Sequence, residues 1–284
     1  GGEGEVVSGN KNEEKNQLLK NGNGVLIGGT VRLRVNDAGH SGGGTWGDGD
    51  NDGDLDLYVT NSTEVEPNFF YQNNGDGTFL KITDSEIVNY LSNSHGASWI
   101  DFDNDGDLDL MVANNQSNEN FLFSNNGDGT FEKLDNAITQ DLNESYGLAW
   151  SDFDNDGDYD LFVANIGANT NDFFVNQKEA CTNYITVKLN GCNSNKVGVG
   201  AMVSLKATIN GQSIWQTKHV STQTSAMGGQ NSPKLLFGLL DATEVDSVTV
   251  VWPSGVVSYI VEPTINDLLP VSEACGSKIC GTVY

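Results

Sequence analysis

The sequence predicts an all-β protein in which propeller-type blade repeats are followed by a small β-sandwich. Three observations carry that prediction. A unit of about fifty residues recurs along the chain, each copy reads as short strands punctuated by turns, and amphipathic helix periodicity is not evident.

The recurrence is plainest in three segments, Trp46 to Asn61, Trp99 to Asn114 and Trp150 to Asn165, whose tryptophans stand 53 and 51 residues apart. A second element follows each of them. Asn68 to Phe79 and Asn120 to Phe131 share an Asn-Asn-Gly-Asp-Gly-Thr-Phe ending, and the third copy, Asp172 to Asn176, is cut short. Upstream, Asn16 to Asn21 lies 52 residues before Asn68 in the same register, so the chain holds about three and a half copies. Within a copy, Leu110 to Ala113 and Phe121 to Phe123 are short apolar runs, and Asn126-Gly127-Asp128-Gly129 is a strong turn sequence. Closed propellers have roughly four to eight blades, so this number leaves sheet edges and apolar faces open. The expectation is that the chain is a piece of something longer or that neighbouring copies complete it. The Gly- and Asn-rich stretch from Gly1 to Asn23 is then held by another copy. The recurring tryptophans read as blade-to-blade packing rather than as ligand-stacking platforms.

The repeat pattern stops near Lys178–Cys181, which divides the chain into an N-terminal tail and partial blade (1–45), the blade repeats (46–178) and a C-terminal β domain (179–284). In the last, Val248, Val250 and Trp252 alternate with Ser247, Thr249 and Val251 before a Pro253-Ser254-Gly255 turn, and Ile185, Val187 and Leu189 alternate likewise. About 100 residues of this kind suit a sandwich.

Charge narrows the function. There are 39 Asp and Glu against 14 Lys and Arg, a net of −25. Nucleic acid needs a basic partner and is excluded on that ground, as is adhesion to anionic membranes. No apolar run approaches the ~20 residues that span a bilayer, so membrane insertion is not expected. The acid is concentrated: fifteen Asp residues sit in three loops of the form D-x-D-x-D-G-D-x-D. Clustered carboxylates repel one another and call for a counter-cation.

Calcium fits that pattern. It takes six to eight oxygen ligands from carboxylates, carbonyls and water, and alternate Asp residues on a tight loop can converge on one ion. Glycine at position 6 permits the sharp turn that returns position 9. The predicted sets are Asp48, Asp50, Asp52, Asp54 and Asp56; Asp101, Asp103, Asp105, Asp107 and Asp109; and Asp152, Asp154, Asp156, Asp158 and Asp160. About three ions are expected. Position 7 (Asp54, Asp107, Asp158) is expected to bind through its backbone carbonyl, its side chain facing solvent or outer-shell contacts. The loop begins like an EF-hand and ends otherwise: position 12 is Val59, Val112 or Val163, not Glu, and a strand follows. Magnesium is disfavoured because it dehydrates reluctantly and rarely takes an all-protein cage.

The remaining motifs argue against catalysis. Gly39-His40-Ser41-Gly42-Gly43 fits the G-x-S-x-G nucleophile elbow, but that motif needs a strand before it and a helix after, and here an Asp loop follows. His40, His95 and His219 are scattered; His95 stands where the next repeat has Tyr146, which suits packing or hydrogen bonding. Four cysteines in two local pairs suit two disulfides in an oxidising compartment, with Cys181–Cys192 and Cys275–Cys280 the expected pairs, although sequence alone does not fix the connectivity. Their spacings do not fit zinc-binding loops. Three sequons, at Asn61, Asn115 and Asn143, are expected to offer surface sites for glycan. The chain begins Gly1-Gly2 and reads as a mature, processed chain or a fragment.

The stretches from Trp99 to Asn114 and Asn120 to Phe131 resemble the FG-GAP/VCBS repeats of integrin-like β-propellers and cartilage acidic protein-like secreted proteins. That resemblance covers about residues 16–178 and implies calcium in the Asp loops, each within a β-hairpin. Asn183 to Leu189, Gly198 to Leu205, Gly229 to Gly238 and Val245 to Gly255 resemble the ASPIC and UnbV domain that follows such repeats, for which the family implies no catalysis. The low repeat number and the degenerate first copy depart from the family pattern. Together these readings predict a non-enzymatic, extracellular or cell-surface protein. Its expected role is a calcium-stabilised structural subunit that assembles with copies of itself into a filament or coat. The alternative is an integrin-like adhesion module for an extracellular protein or glycan, with a secreted hydrolase scaffold a third reading.

Overall fold

A computed structural model describes residues 37–140, 142–177, 182–221 and 229–275, together with the backbone of three short strands between residues 5 and 28. These three, β1 (Glu5–Val7), β2 (Gln17–Gly22) and β3 (Val25–Gly28), form one antiparallel sheet. Two four-stranded meanders follow. The first blade is β4 (Ser41–Gly47), β5 (Asp56–Pro67), β6 (Phe69–Asn73) and β7 (Phe79–Ile82). The second is β8 (Leu91–Ile100), β9 (Asp109–Asn115), β10 (Phe121–Asn125) and β11 (Phe131–Leu134). The third has three strands, β12 (Ser145–Ser151), β13 (Asp160–Asn165) and β14 (Asp172–Phe174). The half copy upstream is real in its backbone: the pairing Glu5↔Leu19 lies 52 residues before Leu57↔Tyr71. The polar stretch 1–23 otherwise lies outside the described residues.

Short apolar strands form because the facing sides of neighbouring blades cover one another. Tyr58 and Phe70 of the first blade share a core with Trp99, Leu110 and Phe123 of the second. Trp99 lies edge-on to Tyr58, with ring centroids 6.4 Å apart, and 5.9 Å from Phe70. Such contacts add to the area they bury, and the tryptophan is therefore an inter-blade wedge, as its recurrence suggested. A Cβ at Gly47 would stand 2.4 Å from the Trp99 ring, so only glycine lets the wedge in there.

A buried polar ladder also runs from blade to blade. Each blade opens on Ser-x-Gly, and at each one the register slips in a bulge, between Ser41 and Gly43, Ser94 and Gly96, and Ser145 and Gly147. The bulge turns the serine inward. Asn68 Nδ2 of the first blade donates to Ser94 Oγ of the second at 3.0 Å, and Ser94 donates onward to Asn114 Oδ1 at 2.7 Å. One blade later Asn120 donates to Ser145 at 3.1 Å and Ser145 to Asn165 at 2.9 Å. Buried amides cost about 1–3 kcal/mol each when unpaired, which explains why the ladder closes on every amide it contains.

The ladder corrects the sequon reading. Asn61 is fully buried, with its amide donating to Pro67 O at 2.6 Å and its Oδ1 accepting from Ser41. Asn115 is buried too, donating to the Tyr146 hydroxyl at 2.7 Å. Neither is a surface position in the folded blade. Asn143 is half-buried and donates to Asp172 at 3.0 Å. His95, at the bulge, stacks on Tyr146 with centroids 4.0 Å apart, which is the packing role expected of it.

The C-terminal domain has two sheets. One is ordered β18 (Leu235–Leu240), β15 (Asn183–Asn190), β21 (Leu268–Ser272). The other is ordered β17 (Gln212–His219), β16 (Met202–Ile209), β19 (Val245–Val251), β20 (Val257–Val261). Ile185, Val187 and Leu189 from the first sheet, Val248 and Val250 from the second, and Trp252 just past β19 all enter one shared core, as their alternation predicted.

Folding adds one contact that the spacing does not show and changes the expected disulfide. The chain divides into two compact units, one of residues 1–103, 107–178 and 223–232, the other of 104–106, 179–222 and 233–284. Asn231 and Ser232, which follow the expected boundary, are thus grouped with the blades. The physical reason is an open edge: among the described residues β12 pairs with β13 alone, so the outward backbone N–H and C=O of Trp150 call for partners from elsewhere. Asn231 Oδ1 accepts that N–H at 3.1 Å and Ser232 N–H donates to that carbonyl at 3.0 Å. The disulfide also differs. It joins Cys192 to Cys275, 83 residues apart, which rules out both expected local pairs; Cys181 and Cys280 lie outside the described residues. Folding brings the ends of β15 and β21 together as parallel neighbours, a closeness that sequence spacing does not reveal.

Beside that disulfide, Glu273 Oε2 accepts the backbone N–H groups of Cys192, Asn193 and Ser194, each at 2.7 Å. Its other oxygen accepts the hydroxyls of Ser194, at 3.0 Å, and Ser254. Burial raises its pKa, but donation from Ser254, Ser194 and Cys192 outweighs burial and holds it at about 2, below the unfolded 4.5. A depressed carboxylate stabilises the fold above the unfolded value and loses that contribution as pH falls toward the folded one. The sandwich is therefore expected to lose stability between pH 4.5 and about 2. Acid titration followed by tryptophan fluorescence, beside Glu273→Gln, checks this: the variant's stability should change less over that window.

Candidate metal centres

Each Asp loop connects the first two strands of its blade, and the same backbone produces it three times. Position 4 is in the left-handed region at Asn51, Asn104 and Asn155, with φ of 60°, 60° and 61°. Position 6 follows at Gly53, Gly106 and Gly157, with φ of 93°, 103° and 93°. The glycine was anticipated; the asparagine was not, although Asn is the side chain that best tolerates this conformation. Two such residues in a six-residue span curl the loop tightly.

The curl brings positions 1, 3 and 9 together. Asp48, Asp50 and Asp56 each offer an oxygen within 4.8 Å of the others, as do Asp101, Asp103 and Asp109, and Asp152, Asp154 and Asp160. Position 9 is clamped identically in every copy. Asp56 accepts the N–H of Gly49 at 2.9 Å and of Asn73 at 2.8 Å. Asp109 accepts those of Phe102 and Asn125, both at 2.9 Å. Asp160 accepts those of Phe153 at 2.7 Å and Asn176 at 3.1 Å. The second donor is the asparagine that ends the third strand in the first two blades and stands two residues past it in the third, so that strand's end fixes the ligand. Each oxygen of such a carboxylate keeps a lone pair for a cation.

Positions 5 and 7 do not join these converging groups. Asp52 accepts the N–H of Asp54 at 2.8 Å, and Asp156 that of Asp158 at 3.3 Å, so position 5 is spent partly on holding the turn. The position-7 side chain also has a task beyond the expected one. Asp107 Oδ1 accepts from Asn51 Nδ2 of the first loop at 2.6 Å, tying consecutive loops together. Its other oxygen lies 2.5 Å from where a Cβ on Gly127 would be, and Asp54 stands 2.6 Å from the same point on Gly75. The Asn-Gly-Asp-Gly turns thus need glycine to clear the position-7 carboxylates.

The electrostatics call for a cation. Burial, followed by the charges of Asp50 and Asp52, pushes Asp48 up to about 7 despite hydrogen bonds from Gly53 and Asp52. Burial, with Asp50 and Asp48 nearby, does the same to Asp56. Burial raises Asp109 well above the carboxylate range, with Asp103 and Asp101 adding to it. Asp152 and Asp154 are raised by burial and by neighbouring carboxylates. Buried Asp48 Oδ1 and Asp152 Oδ1 receive no hydrogen bond from any described protein donor. Oxygen-only donors, convergence and unsatisfied buried oxygens fit a hard divalent cation.

The G-x-S-x-G serine lies elsewhere in character. Ser41 opens strand β4 and donates to Asn61 at 3.1 Å, so its hydroxyl belongs to the polar ladder.

Family comparisons agree with this architecture. The model for the FG-GAP-like repeat matches residues 48–112 and 101–163, and the model for the ASPIC and UnbV domain matches 191–278. Cartilage acidic protein 1 of Xenopus tropicalis is 33% identical over 114 residues, 39% of this chain. The match spans 17% of that relative's length. Among the described residues, no helix is long and apolar enough to cross a membrane.

Proposed function

From a chain that carries FG-GAP-like repeats followed by an ASPIC and UnbV domain, we propose an extracellular, calcium-ordered binding module, integrin-like in its blades and without catalysis of its own. Asp48, Asp50 and Asp56, and their counterparts in the next two blades, would hold one calcium each. The ion supplies positive charge that lets buried carboxylates sit side by side; the chain supplies a loop already curled around it. The supporting observation is the threefold recurrence of one geometry, with positions 1, 3 and 9 converging and position 9 clamped by the same two backbone donors. A turn that merely used Asp for its hydrogen bonds would have no reason to converge three carboxylates, with position 9 buried in every copy.

The extracellular placement draws on the disulfide and on the secreted character implied by the resemblance. An extracellular protein or glycan is the partner class this reading favours. A second reading, a structural subunit that assembles with copies of itself, is favoured by the exposed Phe153, Phe162 and Phe173 of the third blade.

Calorimetric titration of calcium into the chelator-treated chain tests the first reading. About three ions should bind, and Asp50→Asn, Asp103→Asn and Asp154→Asn should each remove one without touching the position-9 clamp. Absence of uptake at millimolar calcium would overturn it.

A further inference from the structure

A hydrogen-bonded chain joins the three Asp loops and passes through the position-9 carboxylate of each. Asp56 accepts the N–H of Gly49 at 2.9 Å. The carbonyl of Gly49 accepts Asn125 Nδ2 of the second blade at 2.9 Å. The backbone N–H of Asn125 in turn donates to Asp109 at 2.9 Å. The same steps then recur. Asp109 accepts the N–H of Phe102 at 2.9 Å, the carbonyl of Phe102 accepts Asn176 Nδ2 at 2.8 Å, and Asn176 N–H donates to Asp160 at 3.1 Å. Asn125 and Asn176 thus each hold their own blade's carboxylate by the backbone and the preceding loop by the side chain. Asn51 Nδ2, donating to Asp107 at 2.6 Å, adds a second link between the first two loops.

These links lie where an ion would act. Gly49 and Phe102 stand at position 2, between the converging aspartates of positions 1 and 3. Asp48 is 4% exposed, and its Oδ1 accepts no hydrogen bond from any described residue. A cation that draws positions 1, 3 and 9 together fixes the peptide groups on either side of position 2. With them it fixes the carbonyl that the next blade's asparagine holds. A second ion then meets groups already ordered and removes less conformational freedom when it binds. Direct charge acts with the opposite sign, because a cation in one loop disfavours a cation in the next.

We propose that Asn125 and Asn176 couple the three calcium sites, so that the ions bind with positive cooperativity along the blades. This rests on the calcium reading above. The two asparagines are positioning residues that act through the ligands they hold. Coupling of this kind is reciprocal, so each site strengthens its neighbour on either side. The first blade supplies a control in Asn73. It holds Asp56 by its backbone N–H, accepts Gly75 N–H at 3.1 Å and donates to Leu55 O at 3.1 Å. Asn125 likewise accepts Gly127 N–H at 3.1 Å and donates to Leu108 O at 3.0 Å. Among the described residues, what Asn125 has in addition is the bond to Gly49.

Calorimetric titration of calcium into the chelator-treated full chain tests it, at about 0.15 M salt, where exposed charges are screened beyond about 8 Å. Asp50→Asn leaves the second and third sites, and the first ion bound there should strengthen the other by about 5-fold or more. Asn176→Ala on that background keeps the N–H on Asp160 and alters a half-buried side chain. Two ions should still bind, with the enhancement lost. Asp154→Asn leaves the first and second sites. There Asn125→Ala should lower the enhancement, and Asn73→Ala should leave it unchanged. A merely structural role would lower both affinities together and keep their ratio. Two independent ions in either pair, or an enhancement untouched by Asn176→Ala, overturns the coupling and leaves the calcium reading standing. Absence of calcium uptake by the parent chain overturns both.

Discussion

Chelation of calcium is expected to melt the blades at a lower temperature while leaving the sandwich transition in place. The loops set nine converging carboxylates in three groups, and burial already raises Asp48, Asp56 and Asp109 in the absence of a counter-charge. A ligand that binds only the folded state stabilises it by roughly 4 kcal/mol per site when its free concentration is ~1,000 times the dissociation constant. Several such sites rival the whole stability of an ordinary domain, about 5–15 kcal/mol. The effect should spread beyond single blades, because Asn51 and Asp107 join the first loop to the second and Asn125 Nδ2 donates to Gly49 O at 2.9 Å. Differential scanning calorimetry with and without chelator separates the two units. Equal melting of the blade transition in both conditions would count against calcium as a folding ligand.

Loss of the Cys192–Cys275 bond should act on the other unit. A bond across 83 residues removes about 4–5 kcal/mol of chain entropy from the unfolded state in the loop-closure account. The two short loops expected from cysteine spacing would each have contributed less. Cys192→Ser paired with Cys275→Ser is therefore expected to shift the sandwich transition down sharply while the blade transition stays put. Glu273 and its five donors remain in that variant, so the difference reports the covalent link rather than the hydrogen bonds beside it. A sandwich that unfolds at the same denaturant concentration with and without the bond would show that its native geometry, not the crosslink, confines those strand ends.

The fold class, the blade strands, the sandwich core and the Asp loops were legible in the sequence because each is local. Val248, Val250 and Trp252 read as one face because side chains alternate along a strand, and the structure puts all three in the core. The glycine at position 6 read as a turn because few other residues adopt its φ. The aligned Asn and Ser positions were visible too, but not their meaning. Asn68, Ser94 and Asn114 form one ladder only when two blades lie side by side.

By itself the sequence determined what repeats, where strands alternate, and which carboxylates share a loop, since these depend on neighbours within about ten positions. Tertiary structure alone decided which carboxylates of each loop converge and which brace the turn. It also decided that Cys192 meets Cys275, that Asn231 and Ser232 meet Trp150 at the edge of β12, and that buried Asn61 is no surface site. These outcomes depend on which distant backbone groups and faces are left unsatisfied after the local elements form. Edges, buried amides and uncovered phenylalanines are properties of the packed chain, and only packing reveals which of them have found a partner.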